Sequence, residues 1–292
     1  MLKKIFKVVG IILGVLLIVV AVFYTKVYFS IEKRINKKYE VTPQSLSFDP
    51  ADTTLLATGQ RFITTKGCNE CHGQDLGGKV FIDDPALGLL VARNLTKGKG
   101  GLPADYSTND WVLALKHGIR RDGKALLFMP SHEYTLLSEQ DMKSVIAYCS
   151  TLPNVDRELP ENDLGPLAKI LTDLGKLPLF PAEMIDHDRV LVKEVNAEVS
   201  VEYGKYLAIA CQGCHRENMK GGEPVAPGFP IVADISATGH PGKWTDDQFM
   251  ETLRTGKTPE GKILKPQEMP WTMTKAYTDV ELKALHLYLN TL

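Results

Sequence analysis

The chain has 292 residues, with 34 Lys and Arg against 35 Asp and Glu, for a formal net charge of −1. That length is enough for two ordinary domains and an anchor. Residues 1–40 hold eight of the basic residues and two of the acidic ones, which leaves 26 basic against 33 acidic residues, a net of −7, from Val41 onward. So acidic a body excludes nucleic acid as a partner.

Lys3, Lys4 and Lys7 precede residues 8–24, a run of 17 uncharged and almost wholly apolar residues. At 1.5 Å per residue, this run is slightly short of a ~30 Å hydrocarbon core. Lys7 can snorkel, and residues 25–29 can lengthen the span. The run ends Ala21-Val22-Phe23-Tyr24, without the small-residue pattern of a cleaved signal peptide, so an uncleaved, single-pass transmembrane helix is expected. Val27, Ile31 and Ile35 then recur every four residues among Lys and Arg, which predicts a short amphipathic stalk closed by Pro43, with residues 44–53 as linker. On this reading the first helix alone tethers the chain, and a cut between residues 40 and 50 releases the rest.

Cys68-Asn69-Glu70-Cys71-His72 follows, and the pattern returns as Cys211-Gln212-Gly213-Cys214-His215. C-x-x-C-H is the attachment signature of c-type haem. Residues three apart share one face of a helical turn, so both thiols can add to the vinyl groups of one porphyrin while the next residue offers a nitrogen to the iron. A zinc ribbon would keep its C-x-x-C halves about 15–20 residues apart, and neither half would need the trailing His. The sequence is therefore read as a dihaem cytochrome c, with two covalently attached haems c. Haem is joined to this motif outside the cytoplasmic membrane, which places the body on the periplasmic side although basic residues flank the span on both sides.

An internal repeat of about 100 residues carries the two motifs. Its units begin near Thr58-Gly59-Gln60-Arg61-Phe62 and Tyr203-Gly204-Lys205-Tyr206-Leu207. Gly78 and Gly221-Gly222 open loops. Asn94-Leu95-Thr96 in the first unit corresponds to Asp234-Ile235-Ser236 in the second. Acidic helix starts at Asn109-Asp110-Trp111 and Thr245-Asp246-Asp247 lead to Gly118 and Gly256, which fit left-handed C-caps. Met129-Pro130 and Met269-Pro270 lie 61 and 58 residues after the first Cys of their motifs. Ser138 with Asp141, and Thr278 with Glu281, read as capping boxes opening the last helix of each unit. Tyr148 and Tyr288 hold the same place in those helices, and Cys149 is expected to be a buried small hydrophobe. Between the units, five prolines punctuate an apolar connector in which Leu167, Ile170, Leu171 and Leu174 predict one short helix ended by Gly175. The connector is expected to pack across both domains. The units are thus 1–40 anchor and stalk, 41–153 first domain, 154–198 connector and 199–292 second domain.

A His-ligated iron needs a sixth ligand or an open position. Thioether sulfur favours Fe(II) and raises the potential, and a proline after the Met keeps that residue extended on a loop. Met129 and Met269 meet both conditions, so the expected iron ligands are His72 with Met129 and His215 with Met269. Met142 and Met250 read as core, Met184 lies in the connector, Met219 is too near His215 to cross the ring, and Met273 competes with Met269 but lacks the proline. His132 and His240 are weaker candidates; His117, His187 and His286 read as surface or packing. Asn94 and Thr96, with Arg93, Arg120 and Arg121 behind them, are candidate donors to the haem propionates, as are Ser236 and Trp244 in the second unit. Turn and cap duty explains each of these equally well.

Ala92-Arg93-Asn94-Leu95-Thr96, Gly118, Asp122-Gly123, Met129-Pro130, Tyr134, Leu137-Ser138 and Ala147-Tyr148 resemble the membrane-anchored dihaem cytochromes c and the cytochrome subunits of bacterial alcohol, aldehyde and gluconate dehydrogenases. The resemblance implies a mainly α chain: two tandem class I cytochrome c domains after an N-terminal transmembrane helix, with the first and last helices of each domain crossing and the haem between them. It also implies His/Met ligation and electron passage between membrane or periplasmic redox partners. Those dehydrogenase subunits usually carry three haems, whereas two motifs occur here. The expected role is electron transfer without catalysis, as a free carrier or as the cytochrome subunit of a multi-subunit dehydrogenase. A dihaem peroxidase, which needs one open iron, and a haem-based sensor, which needs an output segment, are the competing readings.

Overall fold

The computed structural model describes residues 2–225 and 229–292, which are mostly helical. Helix α1 (Leu2–Ile35) is a single 34-residue rod. Its apolar part stands exposed, long and apolar enough to cross a membrane. Its last third buries one face. Val27 and Ile31 are fully buried in a core they share with Leu90, Ile119, Leu164, Ala168, Leu179 and Phe180. Ser30 Oγ donates to Asp173 (2.6 Å), Arg34 donates to both carboxylate oxygens of Glu183 (2.6 and 3.0 Å), and the Arg34 guanidinium lies 4.4 Å over the Phe180 ring. The four-residue spacing predicted an amphipathic stalk; the structure supplies the surface that it grips. The helix also ends at Ile35, well before Pro43. Tyr39 N then donates to Gly123 O (2.9 Å), and Leu46 and Phe48 pack into the first domain, so residues 44–53 are not a free linker.

The first domain is built on α2 (Thr53–Thr65), α3 (Cys68–His72), α4 (Thr108–His117), α5 (Ser131–Tyr134) and α6 (Glu139–Ser150). In chain order, β1 (Lys79–Asp84) and β2 (Gly88–Ala92) form an antiparallel hairpin between α3 and α4, and β3 (Asp163–Leu164) of the connector pairs with β2. This small sheet corrects the expectation of a simple loop after Gly78. After the connector helix α7 (Pro166–Asp173), the second domain repeats the plan with α8 (Val201–His215), α9 (Asp246–Thr255), α10 (Trp271–Thr274) and α11 (Asp279–Leu289). The expected helix ends are present. Gly118 and Gly256 sit at φ 64° and 72°, Ser107, Thr245 and Thr278 complete capping boxes, and Ser138 accepts from Asp141 N.

Each domain rests on one close helix crossing, α2 over α6 and α8 over α11. Glycine permits both. A Cβ at Gly59 would collide with the Ser144 carbonyl oxygen and stand 2.7 Å from Tyr148 Cβ; one at Gly204 would collide with the Ala284 carbonyl oxygen and stand 2.6 Å from Tyr288 Cβ. The two matched tyrosines are thus the side chains against which the glycines close.

The connector departs from expectation. Most of it packs on α1 and the first domain, with Leu191 in the first domain's core; only its end, near Val195, touches the second. The domains instead meet directly, through equivalent positions of the repeat. Arg61 of α2 donates to both carboxylate oxygens of Glu281, at 2.8 and 2.7 Å, at the start of α11. Tyr206 of α8, the counterpart of Arg61, donates to Asp141 at the start of α6 and accepts from Ser138 N (3.0 Å). That hydroxyl takes the place in the α6 cap that Glu281 fills for itself in α11. The interface is therefore close to two-fold symmetric in role, although its residues differ.

Two outcomes follow from this packing. Gly59→Ala and Gly204→Ala should each cost about 1–3 kcal/mol as overpacked sites, read as a lower thermal midpoint in the far-ultraviolet dichroism. Cleavage between residues 41 and 50 should leave the haem-bearing fragment in the membrane pellet after a high-salt wash, because burying Val27 and Ile31 contributes about 1.5–3 kcal/mol each. Release of the fragment by cleavage alone would show that the stalk contact is weak.

Candidate functional site

The two C-x-x-C-H motifs reach the same geometry by different local routes. In the first, Gly67 adopts a left-handed conformation (φ 71°) and restarts the chain as the single turn α3. In the second, the motif is the last turn of the unbroken α8. All four motif cysteines are half-buried free thiols. Burial pushes the Cys68 and Cys211 thiols up to about 12. Among the described residues, no cluster of three or more His, Cys, Asp or Glu could hold a metal ion.

The histidines carry the most informative geometry. His72 Nδ1 lies 2.7 Å from the Arg93 carbonyl oxygen, and His215 Nδ1 lies 2.8 Å from the Ala233 carbonyl oxygen. A carbonyl can only accept, so each Nδ1 carries the proton and each Nε2 keeps its lone pair for a metal. Burial lowers both imidazole pKa values, which holds the rings neutral. The carbonyls are positioned by matched backbone bonds. Gly78 N donates to His72 O (2.7 Å) and Gly221 N to His215 O (2.9 Å); Leu95 N donates to Leu76 O and Ile235 N to Met219 O, both at 2.9 Å. Leu76 and Met219 share a left-handed conformation, at φ 53° and 58°. Met219 is thus the second domain's Leu76, a fully buried core residue.

Met129 and Met269 sit on equivalent loops. Leu126 N donates to Gly118 O and Leu264 N to Gly256 O, both at 2.7 Å; Ser131 N and Trp271 N then fold back onto the Met129 and Met269 carbonyls at 2.8 and 2.7 Å. Each Met is half-buried against its own domain's core. The competitors are occupied elsewhere. Met142 and Met250 are core residues, and Met184 is exposed. Met273 is packed against Gly67, where its methyl would stand 2.8 Å from an added Cβ, so it faces the other domain's motif. His240 is exposed beside Glu260, His286 bonds Asp246 (2.7 Å) and Pro241 O, and His117 pairs with His187. His132 keeps a buried, unpartnered Nδ1.

The expected propionate donors are largely committed within the protein. Asn94 Oδ1 accepts from Thr96 N and Oγ1, Asn94 Nδ2 donates to Val155 O (2.7 Å), and both residues are buried. They tie the loop to the connector. Asp234 does the same in the second domain, accepting from Ser236 N and Oγ and from Thr238 Oγ1. Arg93 reaches Glu161, Arg120 reaches Asp122, Arg121 binds Asp105, and Trp244 Nε1 donates to Glu260 (2.8 Å).

The sequence reading missed the inter-domain neighbours of the two motifs. Glu133, four residues after Met129, lies against Gly213 inside the second motif; Met273, four residues after Met269, lies against Gly67 beside the first. Glu133 also lines a small cavity with Lys66, Tyr134 and Tyr206. The matched +4 spacing after each Met-Pro was the available signal.

A model of the cytochrome c family matches residues 56–153 and 201–292. The chain belongs to the cytochrome c family. Cytochrome c domains hold haem c covalently, and the paired thiols, the imidazoles with free Nε2 and the loop thioethers found here fit that group. Over 273 residues, 86% of this chain, it is 27% identical to the fructose dehydrogenase cytochrome subunit of Gluconobacter japonicus. Over 269 residues, 83% of this chain, it is 23% identical to the cytochrome c subunit of a quinone alcohol dehydrogenase of Gluconobacter oxydans. A 109-residue stretch is 31% identical to the gluconate 2-dehydrogenase cytochrome c subunit of Pantoea cypripedii, covering 36% of this chain and 24% of that protein. The first two matches cover 54% and 55% of those relatives, so this cytochrome spans about half their length.

The ligand assignment has a direct test. Met129→Ala and Met269→Ala should each remove about half of the weak sulfur-to-iron charge-transfer absorption at the red end of the oxidised spectrum, whereas Met273→Ala should leave it intact. Loss of the band in Met273→Ala but not in Met269→Ala would reverse the assignment for the second domain.

Proposed function

We propose that this cytochrome is a membrane-anchored electron carrier with two haems c, one held by Cys68, Cys71, His72 and Met129 and the other by Cys211, Cys214, His215 and Met269. The domains would comprise residues 41–153 and 199–292, joined by 154–198 and tethered by 1–40, with both haems on the extracytoplasmic side. The observation that carries this reading is the duplication of one set of candidate ligands. Each domain fixes a neutral His by a carbonyl and carries a Met-Pro loop at the equivalent position, and each motif lies against a residue of the other domain.

When bound, haem c supplies a one-electron couple. The protein's part is to hold that couple with little rearrangement. The Nδ1–H bonds fix each ring, the Met129 and Met269 thioethers would complete the iron's ligands and keep water and substrate from it, and the aromatic and aliphatic cores around Trp111 and Phe249 exclude solvent. The named relatives are cytochrome subunits of fructose, alcohol and gluconate dehydrogenases. By extension, the electron donor proposed here is the catalytic subunit of a sugar or alcohol dehydrogenase, and the acceptor is a further component of the membrane electron-transport chain.

Three outcomes test this. Denatured protein should retain two haems per chain through its thioether bonds, and the Cys211→Ala, Cys214→Ala variant should retain one; complete extraction of haem from the wild type by acid-acetone contradicts covalent attachment. Mild-detergent purification of the tagged, full-length protein should bring with it a dehydrogenase subunit whose substrate reduces the haems. Isolation of the cytochrome alone, with no such reduction, contradicts the partnership. Burial also pushes the Glu133 carboxyl up to about 7, against the opposing pull of Lys66. Above that pH its charge beside the second motif should favour the ferric state. The second haem's potential should therefore fall as pH rises through 7, and Glu133→Gln should flatten that slope.

A further inference from the structure

The connector helix α7 presents an apolar stripe that the described protein leaves exposed at Leu167 and Leu174 and covers only in part at Leu171. Leu167, Leu171 and Leu174 recur at i, i+4 and i+7 and so share one face; Leu167 and Leu174 are 42% and 56% exposed. The opposite face is buried at Ala168 and Thr172, with Ala168 in the stalk core. What could meet the stripe follows from where α7 is fixed on α1. Lys169 Nζ lies 4.7 Å over the Tyr28 ring, Asp173 accepts from Ser30 Oγ at 2.6 Å, and Thr172 O accepts from Arg34 at 3.2 Å.

Tyr28 and Ser30 are four and six residues beyond Tyr24, the last residue of the apolar run. At about 1.5 Å of rise per residue these contacts fall ~6 and ~9 Å past its end. The headgroup layer of one leaflet is roughly 5–8 Å thick, from the difference between the whole bilayer and its hydrocarbon core. Phe29 stands 66% exposed on α1 at the same level, where aromatic residues favour the membrane boundary. Lys26 and Lys33 of α1 and Lys176 after α7 add positive charge suited to anionic headgroups.

We propose that α7 is an interfacial helix, lying in the headgroup boundary of the bilayer that α1 crosses, with Leu167, Leu171 and Leu174 turned toward the acyl chains. This rests on α1 being the membrane anchor. It adds that the first domain is held flat against the lipid surface rather than swinging on a stalk. An eight-residue helix cannot span, but its exposed leucines can settle at the boundary at the depth α1 dictates.

The test uses full-length protein reconstituted in vesicles of phosphatidylcholine and phosphatidylglycerol, doped with a phosphatidylcholine that bears a diazirine near the ester end of one acyl chain. After illumination and digestion, lipid adducts are mapped by mass spectrometry. Adducts should appear on the peptide spanning residues 166–176 several times more often than on the exposed loop 216–223. They should fall to the loop's level in Leu171→Ser, Leu174→Ser, with adducts on residues 2–24 unchanged and the haem spectrum intact. Adducts on residues 2–24 but not on 166–176 in the wild type overturn the proposal and leave the anchor standing. Amine cross-links from Lys169 or Lys176 to a second copy, without lipid adducts there, overturn it in favour of a protein partner. Absence of adducts from residues 2–24 overturns the anchor itself, and with it this inference.

Discussion

The interaction on which the rest depends is the hydrogen bond from a histidine Nδ1–H to a backbone carbonyl, made by His72 to Arg93 and by His215 to Ala233. It decides the tautomer, leaves the Nε2 lone pair available to a metal, and fixes the ring beside two thiols set one turn apart. The carbonyl must come from a loop far along the chain, so the loop has to be rigid. The left-handed Leu76 and Met219, and the Asx-type clasp of Asn94 or Asp234 on the residue two ahead, provide that rigidity. Polar residues that look like ligand contacts in the sequence serve mainly to aim a main-chain oxygen.

Duplication accounts for the architecture one level up. Gly59 and Gly204 let the first helix of each domain lie against the last, and the N-terminal caps of those last helices then become the contact surface between domains. The buried carboxylate of Glu281 is compensated by Arg61 Nη1, which donates to both of its oxygens, and by the Thr278 backbone. Asp141 is met by a tyrosine hydroxyl instead. Conserving the positions while changing the chemistry gives the two domains different electrostatic surroundings within one frame. That is a physical basis for two unequal potentials.

Much of this was legible in the sequence because it is local. Helix starts at Ser138, Thr245 and Thr278, C-caps at Gly118 and Gly256, and the paired Met-Pro loops all follow from short-range rules. The hairpin after Gly78 was not legible, because Val80 and Phe81 are exposed and its third strand comes from Asp163–Leu164, some 70 residues on. The stalk's docking was half legible: the spacing of Val27 and Ile31 gave the face, but its partner is assembled from the hairpin, the turn after α4 and the connector. The inter-domain contacts were hidden because Arg61 and Tyr206, or Glu133 and Met273, share positions in the repeat but not residue type.

On the proposed ligation, Met129 and Met269 would hold the haem irons together with His72 and His215, leaving neither iron free for substrate, as a carrier requires. Carbon monoxide added to the fully reduced, full-length protein tests it most directly. The account predicts that the Soret band of both haems stays unchanged at neutral pH. A carbon monoxide adduct forming on half of the haem would contradict it, since one iron would then have an open or readily vacated position.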